Sequence, residues 1–287
     1  MVILFQKAKY SRKTKVFACD MSMQFSIANK IFDVIIPTKN SAKTFSSCIK
    51  GLLRSDVPIG RIILVDKSTD NTPEIAQKFG CDVISSEANY SQALRIGAKN
   101  AKTDYILILD SDVIINKKFY SKLKGHLGKF FVAKGVHRHQ SNWKELSDWL
   151  FDTQMKEIHA LEAAFVHRRT FIKLTKRWKE GYLDAGGDTW LYQVCKQLNI
   201  PVYFSPAVVS IHLTEDFRQL FNKERWYGKS ARKSAKKDKV VDLKDIVLKV
   251  LASPFVGLSI VFRYKSLQLF PFLITYRFHR LWGYAFD

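Results

Sequence analysis

The feature that most constrains this chain is an alternation that begins at residue 31. Short runs rich in Val and Ile, closing on polar or acidic residues, are separated by amphipathic stretches of helical length. The runs at 31–36, 61–65, 81–84 and 105–109 have strand length. The segments between them, 44–54, 72–79 and 91–100, carry apolar residues such as Phe45, Ile49, Leu52 and Leu53 at spacings of three and four. Such a pattern demands βαβ units and a mostly parallel sheet flanked by helices, an α/β fold. Ligands of open sheets of this kind bind beyond the carboxyl ends of the strands, so function is sought in the residues that follow each strand. After residue 112 the regularity loosens. A helix is expected at 116–127, a strand at 130–136, an aromatic helix at 143–158, a strand at 163–166, a Gly-rich turn at 181–187, a helix at 189–198, and strands at 201–204 and 207–212.

Three strand ends carry polar clusters: Pro37-Thr38-Lys39-Asn40 after the first, the run from Asp66 through Ser68 and Asp70 to Thr72 after the second, and Asp110-Ser111-Asp112 after the fourth. A parallel sheet brings all three to one edge. Asp66 closes an apolar strand, where a carboxylate can accept hydrogen bonds from a base or ribose, whereas Asp70 and Thr72 have the spacing of a turn leading into a helix cap. Asp110-Ser111-Asp112 follows the buried run Ile-Leu-Ile-Leu and sends two carboxylates, one residue apart, to the ligand edge. A hard divalent cation, Mg²⁺ or Mn²⁺, suits them, because such ions are held by one or two carboxylates plus substrate phosphates. The chain has no GxxxxGK[ST], GxGxxG or GxSxG, so P-loop, dinucleotide and serine-hydrolase chemistries lack support.

The stretches VIIPTKN (34–40), ILVDKSTDNT (63–72) and SQALRIGAKNAKTDYILILDSDV (91–113) resemble glycosyltransferase family 2, the inverting sugar-nucleotide transferases of GT-A fold. The resemblance covers about residues 31–230 and is strongest in the first half. It implies a Rossmann-like mixed sheet flanked by helices, a metal-dependent transfer from a nucleotide-diphosphate sugar, and nucleotide contacts from Thr38 and Asp66. Arg95, paired with Gly97, is implied to lie near the donor. Ser41 stands where the family commonly has Glu. An inverting transfer needs a base for the acceptor hydroxyl. The family's Glu-Asp pair corresponds to Gly187-Asp188, which gives Asp188 that role, with Asp184 as the fallback; an Asp at this position is also a good helix N-cap. His212 matches a histidine that family members place beside the metal. Asn222-Lys-Glu-Arg225-Trp226 resembles the Gln-x-x-Arg-Trp element of processive members, with Asn for Gln, and Arg225 is suited to phosphate. The expected donor contacts are therefore Pro37, Thr38, Asn40, Asp66, Ser68, Arg95, Asp110, Ser111, Arg225 and Trp226, and the expected metal ligands are Asp110, Asp112 and His212. The remaining histidines, among them His137 and His139 on an expected loop, form no metal-ligand spacing.

The chain carries 47 Lys and Arg against 26 Asp and Glu, a formal charge of +21, more than solubility requires, so an anionic partner is expected. Hydrophobic residues make up 47%, which excludes disorder as a description of the whole. Cys19, Cys48, Cys81 and Cys195 form no CxxC pair, which argues against a disulfide scaffold and fits a reducing compartment. Residues 1–30 read as a basic arm without the apolar core of an export signal. Residues 31–222 read as the GT-A domain, with a nucleotide-binding half at 31–112 and an acceptor half at 113–222. Residues 223–239, with eight Lys and Arg against two acidic residues, read as a polybasic segment. Residues 240–287 are strongly apolar. A polybasic segment beside aromatic-rich apolar runs reads as a surface or re-entrant anchor on an anionic membrane through 223–287, at the cytoplasmic face, with a helical cap on the core as the alternative. Removal of 240–287 is then expected to release the protein from membranes, and a lipid-linked or growing-glycan acceptor follows. The rival readings are a non-catalytic relative of the same fold and a basic lipid- or nucleic-acid-binding protein. The chain has no recognisable nucleic-acid module, and no nucleic-acid partner is expected.

Overall fold

A computed structural model describes residues 31–141, 143–156, 163–177, 187–213, 217–238 and 243–286. The basic arm at 1–30, the turn at 181–186 with Asp184, and Cys19 lie outside the described residues. The first part of the described chain runs β1 (Phe32–Thr38), α1 (Ala42–Leu53), β2 (Ile59–Asp66), α2 (Thr72–Lys78), β3 (Asp82–Ser85), α3 (Tyr90–Asn100) and β4 (Tyr105–Ile108). Then follow β5 (Val113–Ile114), α4 (Phe119–Leu123), β6 (Val132–Gln140), α5 (Lys144–Lys156), β7 (Ala164–His167), α6 (Arg168–Leu174), α7 (Gly187–Gln197) and β8 (Val202–Leu213). Four helices close the described chain: α8 (Phe217–Asp238), α9 (Leu243–Leu251), α10 (Ser253–Tyr264) and α11 (Leu269–Phe286).

The strands form one mixed sheet in the order β3-β2-β1-β4-β7-β6-β8-β5. The first four are mutually parallel, β7 is antiparallel to both β4 and β6, β6 and β8 are parallel, and β5 is antiparallel to β8. Because side chains alternate along a strand, β1 feeds two cores. Val34 and Ile36 pack with Phe45, Ile49 and Leu52 of α1, while Ile35 joins Ala93, Leu94 and Ala98 of α3 on the other face. The approach of α3 explains Gly97: a Cβ there would stand 2.3 Å from Ile35 Cγ2. At the opposite end from the ligand edge, the buried Asp33 accepts hydrogen bonds from the N–H of Lys102 at 2.6 Å and from the N–H and guanidinium of Arg61, both at 3.0 Å. Burial alone would raise the Asp33 carboxyl, but these donors outweigh it and hold the carboxyl below its ordinary value.

Several expectations change in the second half. The segment 116–127 is a five-residue helix followed by a 3₁₀ turn at Lys124–His126, with Gly125 inside it and Gly128 beyond it at φ +88°. The expected strands 201–204 and 207–212 are one strand, β8, whose pairing shifts from Phe204 opposite Lys134 to Val209 opposite Val136. Pro206, which has no N–H to give to the ladder, falls in that bulge. His137 and His139 lie on β6 rather than on a loop.

The C-terminal helices are built into the molecule as a cap. Ile260 of α10 and Leu269, Phe272 and Leu273 of α11 share a core with Leu146 and Trp149 of α5 and Leu220 of α8. The apolar run 246–262 is broken into α9 and α10, which meet at 54° with Pro254 in the first turn of α10. Two glycines let α8 and α11 touch backbone to backbone. A Cβ at Gly228 would lie 2.0 Å from the Arg280 carbonyl oxygen, and one at Gly283 would lie 1.9 Å from that of Arg225. Glu224, 3% exposed, is ion-paired with Arg280, whose Nη2 donates to Oε1 at 2.8 Å. Removing 240–287 would strip this core from α5 and α8, so that deletion does not isolate membrane binding from folding. Among the described residues no single helix is long and apolar enough to cross a membrane, and only the bent α9–α10 pair passes by length and composition.

Candidate active site

The carboxyl ends of β1, β2 and β4 open onto a cavity of about 520 Å³, walled by the 37–41 turn, Tyr90 and Ala93 of α3, Asp110-Ser111-Asp112, His212, and Lys223, Trp226 and Tyr227 of α8. The three strand-end clusters therefore do meet at one edge. Their turns are tied together by hydrogen bonds. Asp66 Oδ1 accepts from Thr38 Oγ1 at 2.5 Å and Ser68 Oγ at 2.6 Å, and its Oδ2 from the Ser68 N–H at 3.0 Å. Asn40, at φ +53°, gives its N–H to Ser68 Oγ at 2.7 Å and accepts from the Thr69 N–H at 2.8 Å. An Asn tolerates this left-handed backbone better than most residues. Asp70 forms the turn before α2 rather than its cap, a position held by Asn71: it accepts from the N–H groups of Thr72 at 3.0 Å and of Ala42, the first residue of α1, at 3.2 Å. Ser41 and Ser111 share a hydroxyl–hydroxyl bond of 2.8 Å, which ties the first turn to the third.

Asp112 is aligned by the sheet itself. The pair β5–β8 sets Val113 opposite His212, and the Leu213 N–H donates to the Asp112 carbonyl at 2.7 Å. This brings Asp112 Oδ2 to 3.6 Å from His212 Nε2 and 3.4 Å from Lys223 Nζ. The His212 ring, 5% exposed, stacks on His139 with centroids 4.6 Å apart, the two being register partners on β6 and β8. Asp110 turns elsewhere: its Oδ1 accepts the Tyr90 hydroxyl at 2.7 Å, and its carbonyl accepts from the Cys48 thiol at 3.3 Å. Burial, with Asp112 and Asp110 nearby, pushes that thiol far above its ordinary pKa, so it is no nucleophile.

Of the three expected metal ligands the structure thus brings two together. Among the described residues no cluster of three or more His, Cys, Asp or Glu side chains forms a ready metal centre. The donor set nonetheless fits a hard cation that completes its shell from substrate phosphates. Asp112 and His212, whose Oδ2 and Nε2 are 3.6 Å apart, are the pair that would hold it.

Pro37, Thr38, Asn40, Asp110, Ser111, Asp112, His212 and Trp226 line the cavity as expected, while Asp66 and Ser68 stand behind the lining and shape it. Two arginines lie elsewhere. Arg95 donates to the Ile172 carbonyl at 2.6 Å and to Thr175 Oγ1 at 3.2 Å, fastening α3 to the end of α6. Arg225 is not among the residues that line the cavity; its guanidinium lies 6.0 Å from the Trp282 ring. On a helix, positions 223, 226 and 227 share one face and 225 lies about 200° from 223. Lys223 therefore holds the position at the cavity that the motif assigns to arginine. The sequence gives no site role to Tyr90, Lys223 or Tyr227, and it places His139 on a loop. For Lys223 the helical spacing to Trp226 was the available signal, and for His139 it was the strand-like alternation with His137. Asp188 lies in the first turn of α7, and its side chain is outside the described residues.

A mixed sheet with its ligand edge occupied by an Asp-x-Asp element is the architecture of GT-A nucleotide-sugar transferases. Glucosyl-3-phosphoglycerate synthase from Mycobacterium tuberculosis, in a crystal structure with Mn²⁺, uridine-diphosphate and phosphoglyceric acid, superposes with a TM-score of 0.53 at 17% identity, covering 75% of this chain and 81% of that one. Residues 33–194, more than half of the chain, match the family model described as Glycosyl transferase family 2, and the chain belongs to that family. A 4,4'-diaponeurosporenoate glycosyltransferase of Staphylococcus aureus is 28% identical over 175 residues, covering 55% of this chain. The poly(ribitol-phosphate) beta-N-acetylglucosaminyltransferase TarS of the same organism is 26% identical over 161 residues, covering 50% of this chain. The chain matches 47% and 28% of those proteins' own lengths.

Proposed function

We propose that this chain transfers a sugar, with inversion, from a nucleotide-diphosphate sugar to a hydroxyl or phosphate acceptor that is lipid-linked or part of a growing glycan. The observation that carries the reading is the meeting of Asp112, His212 and Lys223 at the strand-end cavity. UDP is the first donor class to test, because the glucosyl-3-phosphoglycerate synthase structure of the same fold holds UDP.

The 37–41 turn and Tyr90 form the wall against which the nucleotide lies, and Asp66 keeps that wall rigid by binding Thr38 and Ser68. Asp112 and His212, with Asp110 two residues before Asp112, would hold Mg²⁺ or Mn²⁺, which would supply neutralisation of the diphosphate. Lys223 adds a fixed positive charge on the same side, where the leaving group gathers negative charge. Asp188 takes the proton of the acceptor hydroxyl as that oxygen attacks the anomeric carbon, on the face opposite the departing diphosphate. Trp226 and Tyr227 bring flat apolar surface to the α8 wall, which suits a sugar ring or an isoprenoid. The curated relatives are named for two different acceptors, diaponeurosporenoate and poly(ribitol-phosphate), and both kinds belong in the acceptor panel.

The test is release of UDP from UDP-sugars offered with polyprenyl-phosphate and glycolipid acceptors, on wild type and Asp188→Asn. Turnover lost with donor binding kept supports the reading. Donor binding absent from folded protein, or full turnover in the variant, rejects it.

A further inference from the structure

Helix α10 is apolar on both of its faces. Its inner side, with Gly257 and Ile260, is buried against the cap. Its outer side carries Phe255 at 78%, Leu258 at 51% and Phe262 at 81% exposure, and Leu251 at the end of α9 is 66% exposed. Positions 255, 258 and 262 are spaced by three and four, so they form one stripe along α10, and Leu267, just past the end of the helix, is 81% exposed. The outer face of a helix in water is ordinarily polar, and a contiguous row of large exposed apolar side chains marks a surface that is covered in use.

The charges around the stripe select what covers it. From residue 243 to 286 the chain has six Lys and Arg against one acidic residue, Asp245. Lys249 and Lys265 are exposed beside the stripe, and Arg263, also exposed, is paired with Asp152 of α5 at 2.8 Å. A second copy of a chain carrying +21 would be repelled on approach, whereas an anionic surface would be attracted. The other face of this pair is already used inside the protein, with Ile246 and Ile260 buried, and the two helices meet at 54°, which favours a surface seat over a straight span. An apolar row flanked by cations, on a helix whose inner face is core, is the composition of an element lying in the headgroup region.

We propose that the outer face of α10, with the end of α9, seats the protein on an anionic lipid bilayer, with Phe255, Leu258 and Phe262 entering the acyl boundary and Lys249 and Lys265 meeting the headgroups. This narrows the anchor expected over 223–287 to one stripe. Helix α8, which carries the polybasic segment, is committed at its first half to the cavity through Lys223 and Trp226 and to α11 through Glu224 and Gly228. The inference gains its use from the proposed transfer to a membrane-held acceptor, because α8 joins the cavity wall to the cap that bears the stripe. Docking itself is measured without donor or acceptor.

The experiment is flotation of the full chain with vesicles of phosphatidylcholine alone or mixed with phosphatidylglycerol, for wild type, Phe255→Ser/Phe262→Ser and Lys249→Glu/Lys265→Glu. Thermal unfolding and UDP titration are run in parallel. Wild type is expected to float with the anionic vesicles only. Both variants should lose at least about tenfold in partitioning while their unfolding temperature and UDP affinity stay at the wild-type values. Wild type that ignores anionic vesicles overturns the proposal, and so does a serine variant that floats like wild type. A concentration-dependent dimer in sedimentation that the serine substitutions abolish assigns the face to a second copy instead. Absence of UDP binding would reject the proposed transfer and leave the flotation result standing.

Discussion

Replacing Gly283 by Ala tests whether the C-terminal helices belong to the working enzyme. The added methyl carbon would stand 1.9 Å from the Arg225 carbonyl oxygen, 2.7 Å from its carbonyl carbon and 2.9 Å from its Cα. Non-bonded heavy atoms settle at about 3.5 Å, so α8 and α11 must separate by about 1.5 Å. The obstacle is backbone, and no side-chain rotation relieves it. Overpacking of this kind costs about 1–3 kcal/mol, which lowers the unfolding temperature by about 2–12 °C in a domain of this size. The displacement also reaches the site, because α8 carries Lys223, Trp226 and Tyr227 into the cavity wall. A misplacement of about 1 Å can cost about a hundredfold in rate. Thermal unfolding by circular dichroism and UDP release by the same preparation measure the two effects together. A Gly283→Ala protein with wild-type unfolding temperature and wild-type turnover would refute the reasoning.

Two further predictions rest on single interactions. The Asp33 carboxyl is held below its unfolded value of 3.8 in the fold. Its stabilisation is therefore complete above that value and fades as pH falls toward the folded value. Asp33→Asn should lower stability at neutral pH by about 1–3 kcal/mol, and the melting temperatures of variant and wild type should converge in acid; parallel curves across the whole pH range would contradict the assignment. Lys223→Gln should weaken donor binding about tenfold, the worth of one charge-assisted contact, while Arg225→Gln leaves it near the wild-type value; calorimetric titration of both variants decides, and the reverse ranking would return the phosphate role to Arg225.

The first part of the described chain was legible because its signals are local. The strands β1, β2 and β4 each carry an apolar run of four or five residues that ends at the ligand edge, and Asp110-Ser111-Asp112 follows closely on the run before it. The part that follows was less legible because its pairings are distant. His212 reaches Asp112 only through the β5–β8 ladder, and β5 has two residues, too few for any periodicity. The strand β8 looked like two because Pro206 interrupts it, and only the bulge opposite Gly135 reconciles the pieces. Arg225 drew attention by motif, but the helical face decides which residue meets the cavity, and that face belongs to Lys223. Arg95 likewise matched a motif while its side chain serves the packing of α3 against α6. The tail read as an anchor or as a cap, and the structure combines them spatially: one face of α10 is core and the other is exposed apolar surface.

The central claim, a nucleotide-diphosphate site built on Asp112 and His212, is tested most directly by calorimetric titration of UDP into the folded chain with Mn²⁺ or with chelator, on wild type and on Asp112→Ala. The expected result is binding that needs both the metal and the carboxylate. UDP binding that is indifferent to both, or no nucleotide binding by a folded protein, would contradict it.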